Sequence, residues 1–409
     1  MDINPIVLSI PIYFLLIGIE LLIQFFTHKK LYRLTDAITN INCGITEQIT
    51  GVFVKAALIG GYQYVFEHWS LFEIPVNWWS ITLLFLGVDF CYYWAHRMSH
   101  EVNIMWGGHV VHHQSEDYNF SVALRQGSFQ KFWTFWFYLP LAFLGFDTLT
   151  FLLVSALNTV YQFWIHTETI GKLPKPIEWI FNTPSHHRVH HGRDPKYIDR
   201  NHAGSLIIWD RIFGTFQEEE EKPTYGITKQ IASWNPIKAN LQHYIDMVKQ
   251  LFKTPGLTNK FKVIINKPGW QPKELGGYQS PPEIGNDYRK FTTRPSTQTG
   301  IYVLVQFIII LGATAGFLFG QESFNLADKI FFAVYIILSV ITLGLLLENT
   351  NQKWNFLEYI RLCLFALSSL YFKTDHQVFI VIMSLSFISF ISMIFIHVGK
   401  FVPKKIHSE

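Results

Sequence analysis

Histidines are concentrated in two short stretches of this 409-residue sequence, at 96–113 and 186–191. Within each stretch most of them stand three or four positions apart, so on helices they would share one face. Imidazoles one helical turn apart can ligate a common metal ion, and a tetrahedral ion needs only three or four ligands. One further histidine stands at the end of an apolar segment. Together these histidines provide enough ligands for two metal ions, each of which keeps an open coordination position. The nine candidate ligands are His96, His100, His109, His112, His113, His166, His187, His190 and His191.

The other histidines carry no such spacing. An isolated histidine is usually an ordinary residue whose ring is satisfied by backbone or water, and this interpretation applies to seven positions. His186 is left open, because it adjoins the second stretch but its neighbour His187 has the better spacing. The seven isolated positions are His28, His68, His202, His243, His376, His397 and His407.

The composition indicates a membrane protein. Charged residues make up only 15% of the chain, aromatic residues reach 17%, and the mean hydropathy is +0.20. A net charge of +3 without a stripe of Lys and Arg argues against a nucleic-acid partner. The three cysteines lack CxxC spacing, so neither a disulfide framework nor a thiolate metal site is indicated.

Apolar segments long enough for helices that cross the bilayer organise the chain. The basic residues Lys29, Lys30 and Arg33 follow the first segment and place its end in the cytoplasm. Counting crossings from there puts His96 and His166 on the same, cytoplasmic side. The predicted crossings are residues 5–27, 44–66, 76–95, 128–144, 147–166, 300–320, 329–348, 357–371 and 377–398.

The expected fold is therefore an all-α integral membrane protein of about nine transmembrane helices, with a cytoplasmic helical cap that carries part of a histidine-rich di-metal site. We divide it into three parts. Residues 1–166 hold the N-terminal membrane helices and the first histidine stretch, and residues 167–299, which are more polar, form the cap with the second stretch. Residues 300–409 form a C-terminal four-helix membrane region of unknown role.

Three short motifs in these stretches, HRMSH, HVVHH and HRVHH, resemble the three histidine boxes of the fatty acid hydroxylase/sterol desaturase superfamily of membrane di-iron enzymes. Longer similarity through residues 96–126 and 182–216 points to the alkylglycerol monooxygenase branch. The resemblance extends over most of the chain, including the C-terminal apolar region.

The resemblance implies a site of two iron ions held by the eight box histidines, with zinc as a substitute on purification. The prediction that His166 is also a ligand rests only on its position at the end of an apolar segment. Glu101, directly after the first box, matches a glutamate of the branch and is the candidate catalytic residue, although an ion pair with Arg97 would also explain it. Four residues after the second box resemble the branch too, and would either serve the mouth of the site or cap the next helix. They are Asp117, Tyr118, Asn119 and Arg125.

The implied function is an O2-dependent mono-oxygenase of the membrane bilayer that hydroxylates the ether carbon of a lipid substrate, an alkylglycerol, and releases a fatty aldehyde. An external reductant is needed, and the resemblance suggests tetrahydrobiopterin or another reduced pterin. A separate electron donor protein is the alternative, since the sequence shows no haem-binding or flavin-binding segment.

Two other functions stay open at this point. A sterol C-5 desaturase or a fatty-acyl or carotenoid hydroxylase would use the same metals on another substrate. A non-catalytic metal-binding transporter or sensor is the more distant alternative. A transporter would place its ligands along a pathway at mid-membrane depth, whereas these histidines stand at helix ends.

Overall fold

The computed structural model describes residues 5–285, 287–348, 355–371 and 376–398. In these ranges the regular structure is helical, and β pairing is limited to two isolated bridges, Phe181 with Leu206 and Gly192 with Tyr225. The prediction of an all-α protein is confirmed. His407 lies outside the described residues, as do the side chains of His376 and His397.

The N-terminal part contains two long helices, a third that ends in the first histidine box, and several short ones. Val102 is extended (φ −116°, ψ 116°) and separates the third helix from the fourth. The helices are α1 (Pro5–Thr27), α2 (Leu34–Trp69), α3 (Trp78–Glu101), α4 (Asn103–His113), α5 (Phe120–Ala123), α6 (Gln130–Thr134), α7 (Leu139–Leu144) and α8 (Thr148–Tyr161).

Shorter helices follow, and then the C-terminal apolar helices. The former are α9 (Lys175–Ile180), α10 (Pro184–His190), α11 (Ile208–Ile212), α12 (Pro236–Lys253) and α13 (Leu257–Ile265). The latter are α14 (Thr297–Gly320), α15 (Leu326–Glu348), α16 (Asn355–Ser368) and α17 (His376–Val398).

The chain divides into two compact units. Unit one comprises the described chain up to Ile231 together with Lys238–Lys290, and unit two comprises Ala232–Ile237 and the described chain from Phe291 onward. All nine candidate ligands belong to unit one, together with most of the predicted cap, whereas residues 232–237 and 291–299 of that cap belong to unit two.

Four of the described helical segments are long and apolar enough to cross a membrane: Ser9–Thr27, Leu34–Trp69, Thr297–Ser323 and Leu326–Glu348. They identify a membrane protein but do not establish nine crossings. Helix α3, with 24 residues, is about 36 Å long and could also span, yet it carries Asp89 and the first histidine box.

The predicted hairpin at 128–166 is interrupted. Its first arm consists of α6, a short 3-10 turn at Phe135–Tyr138, and α7, which ends at Gly145 in a left-handed conformation (φ 102°). Its second arm, α8, has 14 residues and so is about 21 Å long, short of the ~30 Å hydrocarbon core. The aromatic-rich arms therefore differ from two full crossings.

Hydrogen bonds to buried carboxylates tie the membrane helices of unit one to the loops around the histidines. Glu20, in α1, accepts from the backbone N–H of Phe120 (2.9 Å) and from the Thr167 hydroxyl (2.5 Å). Asp89, in α3, accepts from the backbone N–H groups of Ser205 (2.7 Å) and Leu206 (3.0 Å). These buried acceptors hold the loops against the helices because an unpaired backbone donor inside the protein would be costly.

Candidate metal centre

All nine candidate histidines are buried and lie together at the ends of α3, α4, α8 and α10. They form two groups, within each of which one ring nitrogen per residue lies within 4.8 Å of the others. The first histidine group is His96, His100, His109, His113 and His190, and the second histidine group is His112, His166, His187 and His191.

Adjacent histidines in the sequence belong to different groups. His112 and His113 end α4, and consecutive residues on a helix project about 100° apart, so His112 faces the second group and His113 the first. His190 and His191 separate in the same way at the end of α10. The paired histidines at the end of the second and third boxes thus let one helix contribute to two sites.

The Nε2 atoms within each group converge. Four nitrogens at about 2.1 Å from a tetrahedral ion would stand about 3.4 Å from one another, and the observed separations are close to this value. Such contacts between ring nitrogens are favourable only with a proton or a cation between them. The Nε2 separations are 2.9 Å for His96–His109, 3.1 Å for His109–His113, 3.2 Å for His112–His166 and 3.0 Å for His166–His187.

Three further Nε2 atoms, those of His100, His190 and His191, are buried without a hydrogen-bond partner among the described residues. A buried nitrogen normally finds a partner, and a lone pair that lacks one inside a cluster of imidazoles suits a metal ion. The donor set, nine neutral nitrogens, therefore fits two divalent metal ions.

In four of the nine rings a main-chain carbonyl holds the opposite nitrogen, Nδ1. A ring that donates its Nδ1 proton leaves Nε2 free as a lone pair and cannot rotate away. His100 instead places Nδ1 3.5 Å from the Asp199 carboxylate. The carbonyl partners are His202 for His96 (2.8 Å), Arg125 for His112 (2.9 Å), Gln162 for His166 (2.8 Å) and Arg200 for His190 (2.9 Å).

Burial keeps these imidazoles neutral. Desolvation, together with the nearby His166, lowers the pKa of His112 to about 3. Desolvation and neighbouring imidazoles also lower the pKa of His109, His113, His187, His190 and His191 well below the usual value. At neutral pH the rings are in the form that binds a metal ion.

Glu101 lies beside the first histidine group but pairs with cations. Its Oε1 accepts from Arg97 Nε at 3.1 Å and stands 3.8 Å from Lys267 Nζ. The ion pair with Arg97 that the sequence suggested is therefore present, and it leaves the carboxylate one residue from His100.

His186 points away from both histidine groups. Its Nε2 lies 2.9 Å from a carboxylate oxygen of Glu178, and its Nδ1 accepts from the backbone N–H of Thr183 in a capping box at the start of α10. His68 and His243 bond the backbone carbonyls of Tyr64 and Asn103, as expected of isolated histidines.

Of the four residues after the second box, two lie against the site. Tyr118 stacks between ligand rings and Tyr225, with its ring centre 5.2 Å from that of His191. Arg125 is buried and donates to the Val111 carbonyl at 2.6 Å, which holds the end of α4.

The other two are structural. Asn119 caps α5 by accepting from the backbone N–H of Ser121. Asp117 pairs with Arg33 and Lys290, each at 2.7 Å. The expected cap on the next helix is thus provided by Asn119, and Asp117 makes ion pairs instead.

Two residues at the site were missed from the sequence. His202 is fully buried, with its ring centre 5.1 Å from that of His100, and neither of its ring nitrogens has a hydrogen-bond partner in the described chain. Asp199 supports His100, as noted above. Both belong to an irregular loop in which Asp199 and Asn201 have positive φ (57° and 54°), so no helical spacing marked them.

Comparison with known proteins agrees with this geometry. Residues 81–215 match the fatty acid hydroxylase family. The fold and the two histidine groups therefore define a membrane-bound oxidoreductase of the histidine-box class. No solved structure matches the chain.

The most extensive similarity is to alkylglycerol monooxygenases. That of Homo sapiens is 41% identical, over 87% of this chain and 80% of the relative, and that of Xenopus tropicalis is 39% identical, over 86% and 79%. The Delta(7)-sterol 5(6)-desaturase of Schizosaccharomyces pombe is 27% identical over 40% of the chain. The chain belongs to the alkylglycerol monooxygenase family, and it is a lipid mono-oxygenase rather than a non-catalytic metal-binding protein.

Proposed function

We propose that this enzyme hydroxylates the ether-bearing carbon of an alkylglycerol, using two iron ions and O2. The resulting hemiacetal collapses to a fatty aldehyde and a glycerol derivative. The observation that carries the proposal is the pair of buried histidine groups in a chain that belongs to the alkylglycerol monooxygenase family.

In this proposal the nine histidines of the two groups are the metal ligands. Bound ferrous ions would supply the activation of O2, and zinc can replace them during purification because it binds nitrogen ligands more tightly. The protein fixes four of the rings through the carbonyl partners of Nδ1 and keeps the imidazoles neutral by burial.

Glu101 is proposed as a catalytic residue beside His100. Its support is its position, one residue after a ligand and within reach of Lys267. We expect Glu101→Gln to lower kcat while the iron content stays unchanged. Full activity in that variant would show that Glu101 forms only a partly exposed ion pair, which is worth about 1 kcal/mol or less.

The reductant is proposed to be a reduced pterin such as tetrahydrobiopterin, with a separate electron donor protein as the alternative. The histidine groups and the cap, residues 167–299, are proposed to face the cytoplasm, in the three-part organisation described above. The basic residues Lys29, Lys30 and Arg33 after α1 support this orientation.

Product analysis tests the function. The full-length protein, purified in detergent and loaded with ferrous iron, receives O2, tetrahydrobiopterin and one lipid: an alkylglycerol, a free fatty acid or a sterol. We expect fatty aldehyde from the alkylglycerol only. Oxidation of the sterol or the fatty acid in its place would assign the site to another substrate.

A further inference from the structure

A cavity of about 280 Å³ opens next to the first histidine group. Its inner wall contains His100, His113 and His190, so whatever occupies it touches three proposed ligands of one metal ion. The rest of its wall comes from Trp106 on α4 and from the segments 192–199, 226–228 and 267–282. The cavity therefore reaches the centre through the predicted cap and not through the membrane helices.

The size and lining of the cavity indicate a small occupant that combines a flat apolar face with polar groups. Pockets for drug-sized ligands typically measure roughly 300–1,000 Å³, so this cavity suits a compact molecule rather than a long alkyl chain. Trp106 and Tyr278 offer aromatic surface to a planar ring, and Arg193 and Lys267 offer hydrogen-bond donors.

Arg193 supplies an independent indication of a ligand. Its side chain lines the cavity, and the residue is only 9% exposed. One arm donates to the Thr228 carbonyl at 3.2 Å, and the guanidinium lies 4.7 Å from the centre of the Tyr288 ring. Its Nε–H, however, is buried and has no hydrogen-bond partner among the residues that the structure describes. An acceptor on a bound molecule would complete this donor.

We propose that this cavity binds the reductant as a small, water-soluble, planar nitrogen heterocycle whose acceptor edge meets Arg193. The inference rests on the proposed mono-oxygenase function. In that reaction one oxygen atom of O2 enters the C–H bond of the lipid as hydroxyl and the other leaves as water. The heterocycle supplies the two electrons and two protons that this requires and departs oxidised by two electrons.

The arrangement separates the two organic reactants. The lipid approaches from the bilayer, whereas the reductant enters from water and makes contact with His100, His113 and His190. A change at Arg193 should therefore alter reductant binding and leave the lipid KM unchanged.

Arg193→Gln tests the donor. We expect the variant to bind a fluorescent oxidised pterin at least tenfold more weakly by equilibrium titration, and to raise the KM for tetrahydrobiopterin by a similar factor. The iron content and the KM for alkylglycerol should match those of the wild type. Arg294→Gln, at an exposed arginine that does not line the cavity, is the matched control and should change none of these values.

Ser280→Trp tests the cavity itself, because a large side chain at this lining position would fill it. We expect pterin binding to be lost, while Glu283→Trp, at an exposed position of the same segment that does not line the cavity, binds as the wild type does. Circular dichroism and iron content show whether each variant is folded.

The outcomes separate the two proposals. Turnover of alkylglycerol with unchanged pterin binding in both folded variants would overturn the cavity assignment and keep the proposed function. Turnover that is driven by a reduced electron-transfer protein and not by a pterin would also overturn the cavity assignment. Absence of turnover with any lipid or donor, with pterin still bound at the cavity, would overturn the function instead.

Discussion

Each imidazole has two nitrogens, and the environment of one decides what the other can do. In both histidine groups Nε2 points inward, and four rings are fixed by carbonyls at Nδ1. The chemistry of the centre thus depends on neutral rings in a single tautomer. This dependence can be tested residue by residue.

His112→Ala and His190→Ala each remove a proposed ligand, one from each histidine group. We expect each variant to lose catalytic activity and part of the bound iron while still inserting into the membrane. Elemental analysis and product formation measure this. His68→Ala changes an exposed histidine that bonds the Tyr64 carbonyl, and this control should keep its catalytic activity and its iron. A fully active His112→Ala or His190→Ala would contradict the assignment of ligands.

Acid should destabilise the metal-free protein. The pKa of His112 is about 3 in the folded chain, and those of five other ligands outside the membrane helices are also lowered, against about 6.5 when unfolded. Below pH 6.5 the unfolded chain therefore binds more protons than the folded chain. Stability is full above that pH and falls as the pH drops towards the folded values.

The expected loss is up to about 1.4 kcal/mol per histidine for each pH unit. Urea unfolding of the metal-free protein in detergent at pH 7.5 and 5.5 measures it, with the lower midpoint expected at pH 5.5. Equal midpoints would show that the rings take up protons in the folded state.

At the scale of helices and loops, Asp89 links α3 to the loop that follows His202. Its carboxylate accepts four hydrogen bonds, from Ser205 and Leu206 of the backbone and from the side chains of Asn158 (2.6 Å) and Trp209 (2.9 Å). The same loop supplies the carbonyl that orients His96. A weaker tether should therefore loosen the first histidine group.

We expect Asp89→Asn to destabilise the protein by about 1.5–3 kcal/mol, because an amide replaces one acceptor oxygen with a donor that faces other donors. Iron content should also fall. Thermal unfolding in detergent measures the stability, and elemental analysis measures the iron content. Thr82→Ala, at an exposed residue of the same helix, should behave as the wild type does; equal stability of Asp89→Asn would show that the tether is unimportant.

The spacing of the box histidines was enough to expect shared helical faces, and the structure brings those histidines together on α3, α4 and α10. The division into five and four was not foreseeable, because it depends on how these helices cross. His202 and Asp199 could not be recognised either, since they lie in an irregular loop and reach the site only through tertiary packing.

The helix bounds followed apolar content closely where a segment was uniform, as in α1, α15 and α17. The helix bounds did not follow apolar content where a turn interrupts an apolar segment. In the segment from 128 to 166 the left-handed turn at Gly145 falls between the two predicted arms, but the 3-10 turn at Phe135–Tyr138 divides the first arm and α8 ends at Tyr161, so the helices are short. Hydropathy reports composition, and it does not report where the backbone turns.

At the scale of the whole molecule, unit two has a polar core of its own. Arg361 is 3% exposed and donates to Glu358, to Gln306 on α14 (2.7 Å) and to Tyr335 on α15 (2.8 Å). A buried charge that is paired and hydrogen-bonded on every side holds helices in one arrangement. The network thus belongs to unit two, whereas all candidate ligands belong to unit one.

We expect Arg361→Met to destabilise unit two by about 3–5 kcal/mol, because Glu358 is left buried without its partner. The double variant Glu358→Gln/Arg361→Met should recover part of this loss. Limited proteolysis should cut unit two of the single variant faster, while its iron content stays at the wild-type level. A single variant as resistant to protease as the wild type would contradict the role of the pair.

The main-chain carbonyls that hold His96, His112, His166 and His190 have a consequence for sequence variation. A point substitution replaces a side chain but leaves the carbonyl of that residue in place. The tautomer of each ring is therefore insensitive to which amino acid stands at positions 125, 162, 200 and 202, provided that the backbone keeps its path. Substitutions at positions 162 and 200 can therefore leave the orientation of the metal-binding nitrogens unchanged, whereas Arg125 and His202 also act on the centre through their side chains.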